Sequence, residues 1–235
     1  MENLAEQAAA FGLALDEKQV AQFDAYRALL QSWNQRMNLT AIDETEAIQV
    51  RHFLDALSCA TATGNLEGQR LIDVGTGAGF PGLPLKILYP GVHLTLVESV
   101  SKKTRFLEAV VVALELTDVA IVDERAEKLG QLAAYRAQYD WAVARAVAEL
   151  RVLLEYLLPF CRIGGHALAQ KGESARAEAE AAAGAIARLG GGSPRFFAVH
   201  LPGREQTHTL VVVEKRQETP AKYPRRPGRP AKRPL

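Results

Sequence analysis

A doubly wound α/β fold, with a mostly parallel seven-stranded sheet ending in a C-terminal antiparallel hairpin, is the class that this 235-residue sequence predicts. Three observations carry the expectation. From residue 71 onward, short apolar runs of strand character alternate with helical spacing, a pattern that calls for parallel strands with helices on both faces. Two strand-like runs, 195–200 and 208–215, then follow one another across a loop containing Pro202 and Gly203, which reads as an antiparallel pair. Between the first strand and the first helix lies a turn with four glycines in eight residues, 75–82, the kind that holds a ligand in nucleotide-binding α/β folds.

In chain order, residues 16–36 and 44–62 show helical apolar spacing (Val20, Phe23, Tyr26, Leu29, Leu30 and Trp33; then Ile48, Phe53, Leu54 and Leu57). Asp16 and Asp43 are the expected N-caps, and 1–65 reads as a helical N-terminal extension. The alternation then runs strand 71–75, helix 82–89, strand 93–98, helix 101–115, strand 119–123, helix 125–135, strand 139–144, helix 148–161 and strand 166–170. An Ala- and Glu-rich helix over 173–189 is broken by Gly190, Gly191 and Gly192 before the hairpin. Residues 66–216 thus form the sheet domain and 217–235 a basic, proline-rich tail.

The turn discriminates between cofactors. In Leu71-Ile72-Asp73-Val74-Gly75-Thr76-Gly77-Ala78-Gly79-Phe80-Pro81-Gly82, glycine's missing Cβ and tolerance of positive φ let a ligand meet the backbone. Gly77, Gly79 and Gly82 match the dinucleotide spacing, but Pro81 lies where an oxidoreductase would be entering its helix. Asp73, at the end of strand 1, would also repel a pyrophosphate. A nicotinamide oxidoreductase is therefore disfavoured. The same carboxylate suits a cationic ligand, and S-adenosylmethionine carries an ammonium and a sulfonium. Glu98 ends strand 2 about 20 residues past the glycines, the offset at which an acid meets ribose hydroxyls in both cofactor classes. A hairpin after five βα units is the mark of the class I S-adenosylmethionine-dependent methyltransferase sheet.

Composition sets the bounds. Hydrophobic residues make up 48% of the chain, enough for a substantial core. Cys59 and Cys161 are far apart and the five histidines scattered, so neither a disulfide framework nor a metal site is indicated. The N-terminus lacks a basic leader, and no apolar run nears the roughly 18 residues of a membrane span, so a cytoplasmic protein is expected. The net charge of +1 hides an asymmetry. From Lys215 to Leu235 there are eight Lys or Arg against one acid, whereas the preceding 214 residues carry 20 basic and 26 acidic side chains. Such a tail is either a solvated end or a segment attracted to nucleic-acid phosphates.

In open α/β sheets ligands sit at the carboxyl ends of the strands. Those ends place Asp73, Gly75, Gly77 and Gly79 after strand 1, Glu98 after strand 2, Glu124 to Glu127 after strand 3, Arg145 after strand 4 and Lys171 after strand 5. Two cations there favour a polyanionic substrate. Strand 4 ends Trp141-Ala142-Val143-Ala144-Arg145-Ala146, without the Asn/Asp-Pro-Pro-aromatic motif that grips an exocyclic amine, and Cys161 follows Phe160 rather than a proline. No general base stands out. An acceptor with a free lone pair, such as guanine N7, needs none, because alignment and exclusion of water suffice.

Several stretches together carry a family resemblance. They are Trp33-Asn34 through Asn38-Leu39-Thr40, Arg51-His52-Phe53-Leu54-Asp55, Asp73 through Pro84, Arg145-Ala146-Val147-Ala148, Lys171-Gly172 and Tyr223-Pro224-Arg225-Arg226-Pro227-Gly228. Across nearly the whole chain the sequence resembles the bacterial 16S ribosomal RNA guanine-N7 methyltransferases, the glucose-inhibited division protein B family. The resemblance implies S-adenosylmethionine as methyl donor and N7 of one guanine in small-subunit RNA as acceptor. It implies cofactor contacts at Gly75, Phe80, Glu98, Ser99, Val100, Ala126, Glu127 and Arg145, beside Asp73, Gly77 and Gly79. Arg145, Lys171, Arg225 and Arg226 are the expected RNA contacts, with 16S RNA, the 30S subunit or a precursor as partner. A monomer without metal or membrane partner is expected. Glu98 is a departure, since most members carry Asp there, and its extra methylene is expected to shift the ribose contact. A non-catalytic RNA-binding assembly factor is the alternative; it would have no reason to keep an intact cofactor turn.

Overall fold

The computed structural model describes residues 4–145, 148–204 and 206–235. Its first elements are helices, α1 (Leu4–Ala9) and α2 (Glu17–Met37). Asp16 opens α2 with a reciprocal capping box: its carboxylate accepts from the Gln19 amide at 2.7 Å while Gln19 Oε1 accepts from the Asp16 amide at 2.9 Å. Phe23, Tyr26 and Leu30, at helical spacing, are fully buried.

The helix expected over 44–62 is instead a series of short pieces. These are α3 (Thr45–Ile48), a π-helical stretch over Gln49–Leu54, α4 (Asp55–Leu57) and α5 (Ala60–Thr63). Glu44, without a side-chain cap, stands at the start in place of Asp43. Every residue from His52 to Ala60 is buried, so no amphipathic period sets the helix, and π turns of this kind recur where side chains are aimed at a functional site.

The sheet follows as β1 (Arg70–Val74), α6 (Gly82–Leu88), β2 (His93–Glu98), α7 (Ser101–Ala113), β3 (Val119–Asp123), α8 (Ala126–Leu129), β4 (Tyr139–Arg145), α9 (Leu150–Leu157) and β5 (Cys161–Lys171). Next come α10 (Ala175–Ala181), α11 (Ala183–Arg188), β6 (Arg195–Val199), β7 (His208–Glu214) and a terminal turn of helix, α12 (Arg229–Lys232). The seven strands lie in the order β3-β2-β1-β4-β5-β7-β6. The first five are parallel, and β7 runs antiparallel to both β5 and β6. This is the class I methyltransferase sheet.

Two cores sandwich it. On one face Phe23, Tyr26, Leu30, Phe53 and Leu57 from the N-terminal helices join Leu83, Phe106 and Leu168. On the other, α9 brings Leu150, Leu153, Leu154 and Leu157 against Ile72, Ala142 and Val211. Central strands buried on both faces read as continuous apolar runs, which is why β1, β2 and β4 were legible from sequence.

The remaining differences have local causes. Helix 125–135 shrinks to α8 because the chain turns after Gly130, whose added Cβ would come within 2.9 Å of Pro224 in the tail. Arg136 holds this corner, donating to the Gly130 and Tyr223 carbonyls at 2.9 and 2.7 Å. The 173–189 helix divides at Ala182. Gly190, at φ +83°, packs so tightly on the chain near Gln217 that a Cβ would lie 2.2 Å from a backbone oxygen.

Candidate active site

Five segments converge at the carboxyl end of the sheet. Asp73, the penultimate residue of β1, is fully buried beneath the glycine turn. Its Oδ2 accepts from Thr76 Oγ1 at 2.6 Å and from the Gly82 amide at 2.8 Å, whereas Oδ1 has no hydrogen-bond partner among the described residues. Burial pushes its pKa up to about 6, against the pull of those two hydrogen bonds. A half-satisfied buried carboxylate is a natural seat for a cation.

Above it, Gly75, Gly77 and Gly79 all take positive φ, at 69°, 62° and 98°. They do different work. A Cβ on Gly77 would meet nothing closer than 4.0 Å, so its side stays open for a ligand, but one on Gly79 would lie 2.4 Å from Leu83 Cδ1 and 2.5 Å from the Tyr26 hydroxyl. Gly79 is therefore a packing position, and Tyr26 secures the turn by donating to the Ala78 carbonyl.

Glu98, at the end of β2, is folded onto backbone amides. Oε1 accepts from Ser99 and Val100 at 2.8 and 3.0 Å, and Oε2 from Gly77 at 3.1 Å. Gly75, Glu98, Ser99, Ala126 and Glu127 border one cavity of about 260 Å³, together with Tyr156 of α9 and Ala231 of α12. Larger hollows elsewhere, such as one of about 570 Å³ beside Ile163 and Lys215, touch none of the predicted site residues.

Arg145 and Phe80 belong to an adjoining polar cluster. The Arg145 guanidinium lies 4.7 Å from the Phe80 ring centre, on a ring that also stacks on His52 at 4.6 Å. Arg145 donates to Asp55 Oδ2 at 3.0 Å, to His52 Nδ1 at 3.1 Å and to the Arg51 carbonyl at 3.1 Å. Because arginine only donates, His52 Nδ1 accepts, and the ring proton sits on Nε2, directed at Thr40 Oγ1 at 2.9 Å. Burial, reinforced by Arg145, lowers the His52 pKa to about 4. Asp55 Oδ1 accepts from His208 Nδ1 at 2.9 Å. Burial pushes the Asp55 carboxyl up, but the His208 hydrogen bond and the Arg145 charge outweigh it and leave the pKa below the ordinary value. Sequence reasoning quoted His52 and Asp55 without giving them a role and did not find His208 or Gln170, whose amide donates to the Asp55 carbonyl at 2.8 Å. The signal available was the Arg51–Asp55 stretch itself.

The expected RNA contacts separate. Lys171 is engaged with Glu178 at 2.7 Å and the Ala148 carbonyl at 2.9 Å, with its side chain only 12% exposed. Arg225 is committed to Glu155, a fully buried acid, by a 2.6 Å ion pair and by its own amide at 2.8 Å. Both cations, expected as RNA contacts, are ion-paired within the protein. Arg226 is exposed. Ala146 and Val147, in the quoted stretch after Arg145, lie outside the described residues.

Among the described residues no helix is long and apolar enough to cross a membrane, and no group of three His, Cys, Asp or Glu side chains is placed to hold a metal ion.

Comparison with known proteins identifies the fold's bearer. Residues 19–206 match the family model described as GidB: rRNA small subunit methyltransferase G. Two curated relatives carry the name ribosomal RNA small subunit methyltransferase G. The one from Roseiflexus castenholzii is 53% identical over 235 residues, all of both chains, and that from Alkaliphilus metalliredigens 48% identical over 95% of this chain and 94% of its own. Among solved structures, the 16S rRNA (adenine(1408)-N(1))-methyltransferase from Catenulisporales acidiphilia superposes with a TM-score of 0.54 over 65% of this chain and 87% of that one, at 15% identity. A predicted O-methyltransferase from Agrobacterium tumefaciens gives 0.53 over 69% and 79%, at 16% identity, and both likenesses concern the fold. A buried carboxylate under a glycine turn, the methyltransferase strand order and near-50% identity over the full length converge: the chain belongs to the GidB family, rRNA small subunit methyltransferase G.

Proposed function

We propose that this chain transfers a methyl group from S-adenosylmethionine to N7 of a specific guanine in 16S ribosomal RNA of the small ribosomal subunit, acting in the cytoplasm as a monomer. The observation that carries the cofactor reading is the unpartnered, buried Asp73 Oδ1 at the end of β1. An ammonium is the group that such an oxygen lacks. S-adenosylmethionine, when bound, supplies an electrophilic methyl on a sulfonium.

The chain's own residues have positioning roles. Asp73 holds the amino-acid end, and the turn through Gly75, Gly77, Gly79 and Phe80 offers close backbone approach. Glu98, with Ser99 and Val100, meets the ribose, and Ala126 and Glu127 border the far end of the cavity. Glu98 Oε1 is fixed by two amides, so it is Oε2, on the Gly77 amide and 3.8 Å from Lys103 Nζ, that can exchange a partner for the ribose. Arg145, held by Asp55 and placed over the Phe80 ring, orients cofactor or RNA.

No side chain is needed to take a proton, because N7 attacks with its own lone pair and the product gains a positive charge. The cluster supports this: His52 is neutral and locked between Arg145 and Thr40, and His208 is committed to Asp55. The sheet unit 66–216 carries the chemistry, with 1–65 as an extension that braces it and the exposed cations of 217–235, Arg226 among them, meeting RNA phosphates. Transfer of labelled methyl from S-adenosylmethionine to small-subunit RNA tests the reading. Incorporation by the wild-type chain and none by Asp73→Ala is expected; no incorporation into naked RNA, 30S subunits or their precursors would overturn it.

A further inference from the structure

The tail does not leave the sheet domain but is strapped across it by acids from two different elements. Glu155 of α9 grips Arg225 through both carboxylate oxygens, with Arg225 Nε at 2.9 and 3.1 Å and Nη2 at 2.6 Å. Glu127 of α8, itself 5% exposed, accepts the Gly228 amide on Oε1 at 2.9 Å. Pro230 is buried and Leu235 packs against the core beneath. The anchoring elements are also the cofactor-side elements. Glu127 and Tyr156, the neighbour of Glu155, border the 260 Å³ cavity, and so does Ala231 of the strap itself.

We propose that residues 225–232 form one wall of the cofactor pocket, with Gly228 and Ala231 as cofactor-positioning residues; this rests on the cavity being the S-adenosylmethionine site. Two features argue for a wall rather than a stabilising tail alone. Glu127, a residue expected to meet the cofactor, both borders the cavity and accepts the strap's Gly228 amide, so moving the strap changes what the cavity presents. Ala231, an exposed residue, borders the hollow, so a bulky side chain there would narrow its rim, and it takes no part in the Glu155, Glu127 or Pro230 anchors. The pocket then has contributions from the end of the first strand, at Val74 and Gly75, and from the last helix, at Ala231.

The test is binding of S-adenosylhomocysteine by isothermal titration to the full chain, to Ala231→Trp and to a chain ending at Pro227, each checked for wild-type Tm. The truncation keeps the Arg225–Glu155 pair. Affinity is expected to fall about tenfold in both variants, the equivalent of about 1.4 kcal/mol. Because Ala231→Trp touches no anchor, it keeps the test decisive if the truncation lowers Tm. Wild-type affinity in folded Ala231→Trp overturns the wall while leaving the site reading intact. If the wild-type chain itself binds no S-adenosylhomocysteine, the site reading falls and takes the wall with it.

Discussion

Asp73 is a carboxylate that the fold makes expensive to ionise. Its raised pKa, about 6 through burial, means that the folded chain holds a proton there that the unfolded chain has already lost. Between roughly pH 4 and 6 the native state therefore binds more protons, so this residue's contribution to ligand-free stability diminishes as pH rises through that window. A cationic ligand reverses the preference. Binding an ammonium favours the ionised form, so S-adenosylhomocysteine affinity is expected to be level above pH 6 and to drop by up to about tenfold per unit below it, with proton release near pH 6. Calorimetry in buffers of different ionisation enthalpy measures both. Asp73→Asn should bind weakly and without that dependence; an unchanged profile in Asp73→Asn would remove Asp73 from the site. Arg145 gives a second residue-scale prediction. Arg145→Ala leaves the buried Asp55 with only His208 and frees the Phe80 face, so single-turnover methylation should slow by about a hundredfold through lost alignment. From pH 7 to 9 the rate of either protein should stay flat, and a unit-slope rise abolished by one carboxylate or histidine mutation would establish a base.

At the scale of elements, the glycine turn and the parallel strands were legible because their signals are local. Asp73 to Gly82 is one strand end and one turn, and the apolar runs of β1, β2 and β4 are buried on both faces. The Arg145 cluster was not, because its partners Asp55 and His208 reach it from 90 residues earlier in the sequence and from the far hairpin, and no period or motif links them. Ion pairs were not legible either: Glu178 and Glu155 sit opposite Lys171 and Arg225 in the fold, the second pair from 70 residues away. The Arg225 pair gives a prediction at this scale. Its loss leaves Glu155 charged and fully buried, so Arg225→Ala should cost about 3–5 kcal/mol and detach the strap, measured by chemical denaturation and by proteolysis after residue 219. A loss within about 0.5 kcal/mol would show that the pair holds nothing.

Over the whole molecule, the tail combines an internal brace with an external charge. Of the six cations in 217–235, Arg225 is paired and Arg229 half-buried, while Lys222, Arg226, Lys232 and Arg233 are exposed. Replacing those four by glutamine should flatten the log-affinity against log-salt slope for RNA by about 3, at roughly 0.7 to 0.9 per phosphate contact, and leave Tm unchanged. An identical slope would confine the tail to its bracing role. The family assignment supplies the RNA, and the locked His52 with His208 held on Asp55 supplies the reason for choosing an acceptor that needs no deprotonation. The central claim is therefore tested most directly by mapping the methyl group itself. Small-subunit RNA methylated by the wild-type chain, reduced with borohydride and cleaved with aniline, should break at a single guanine, the signature of N7-methylation. A methyl group recovered on an exocyclic amine, a ribose or a pyrimidine carbon, with no aniline-sensitive guanine, would contradict the account.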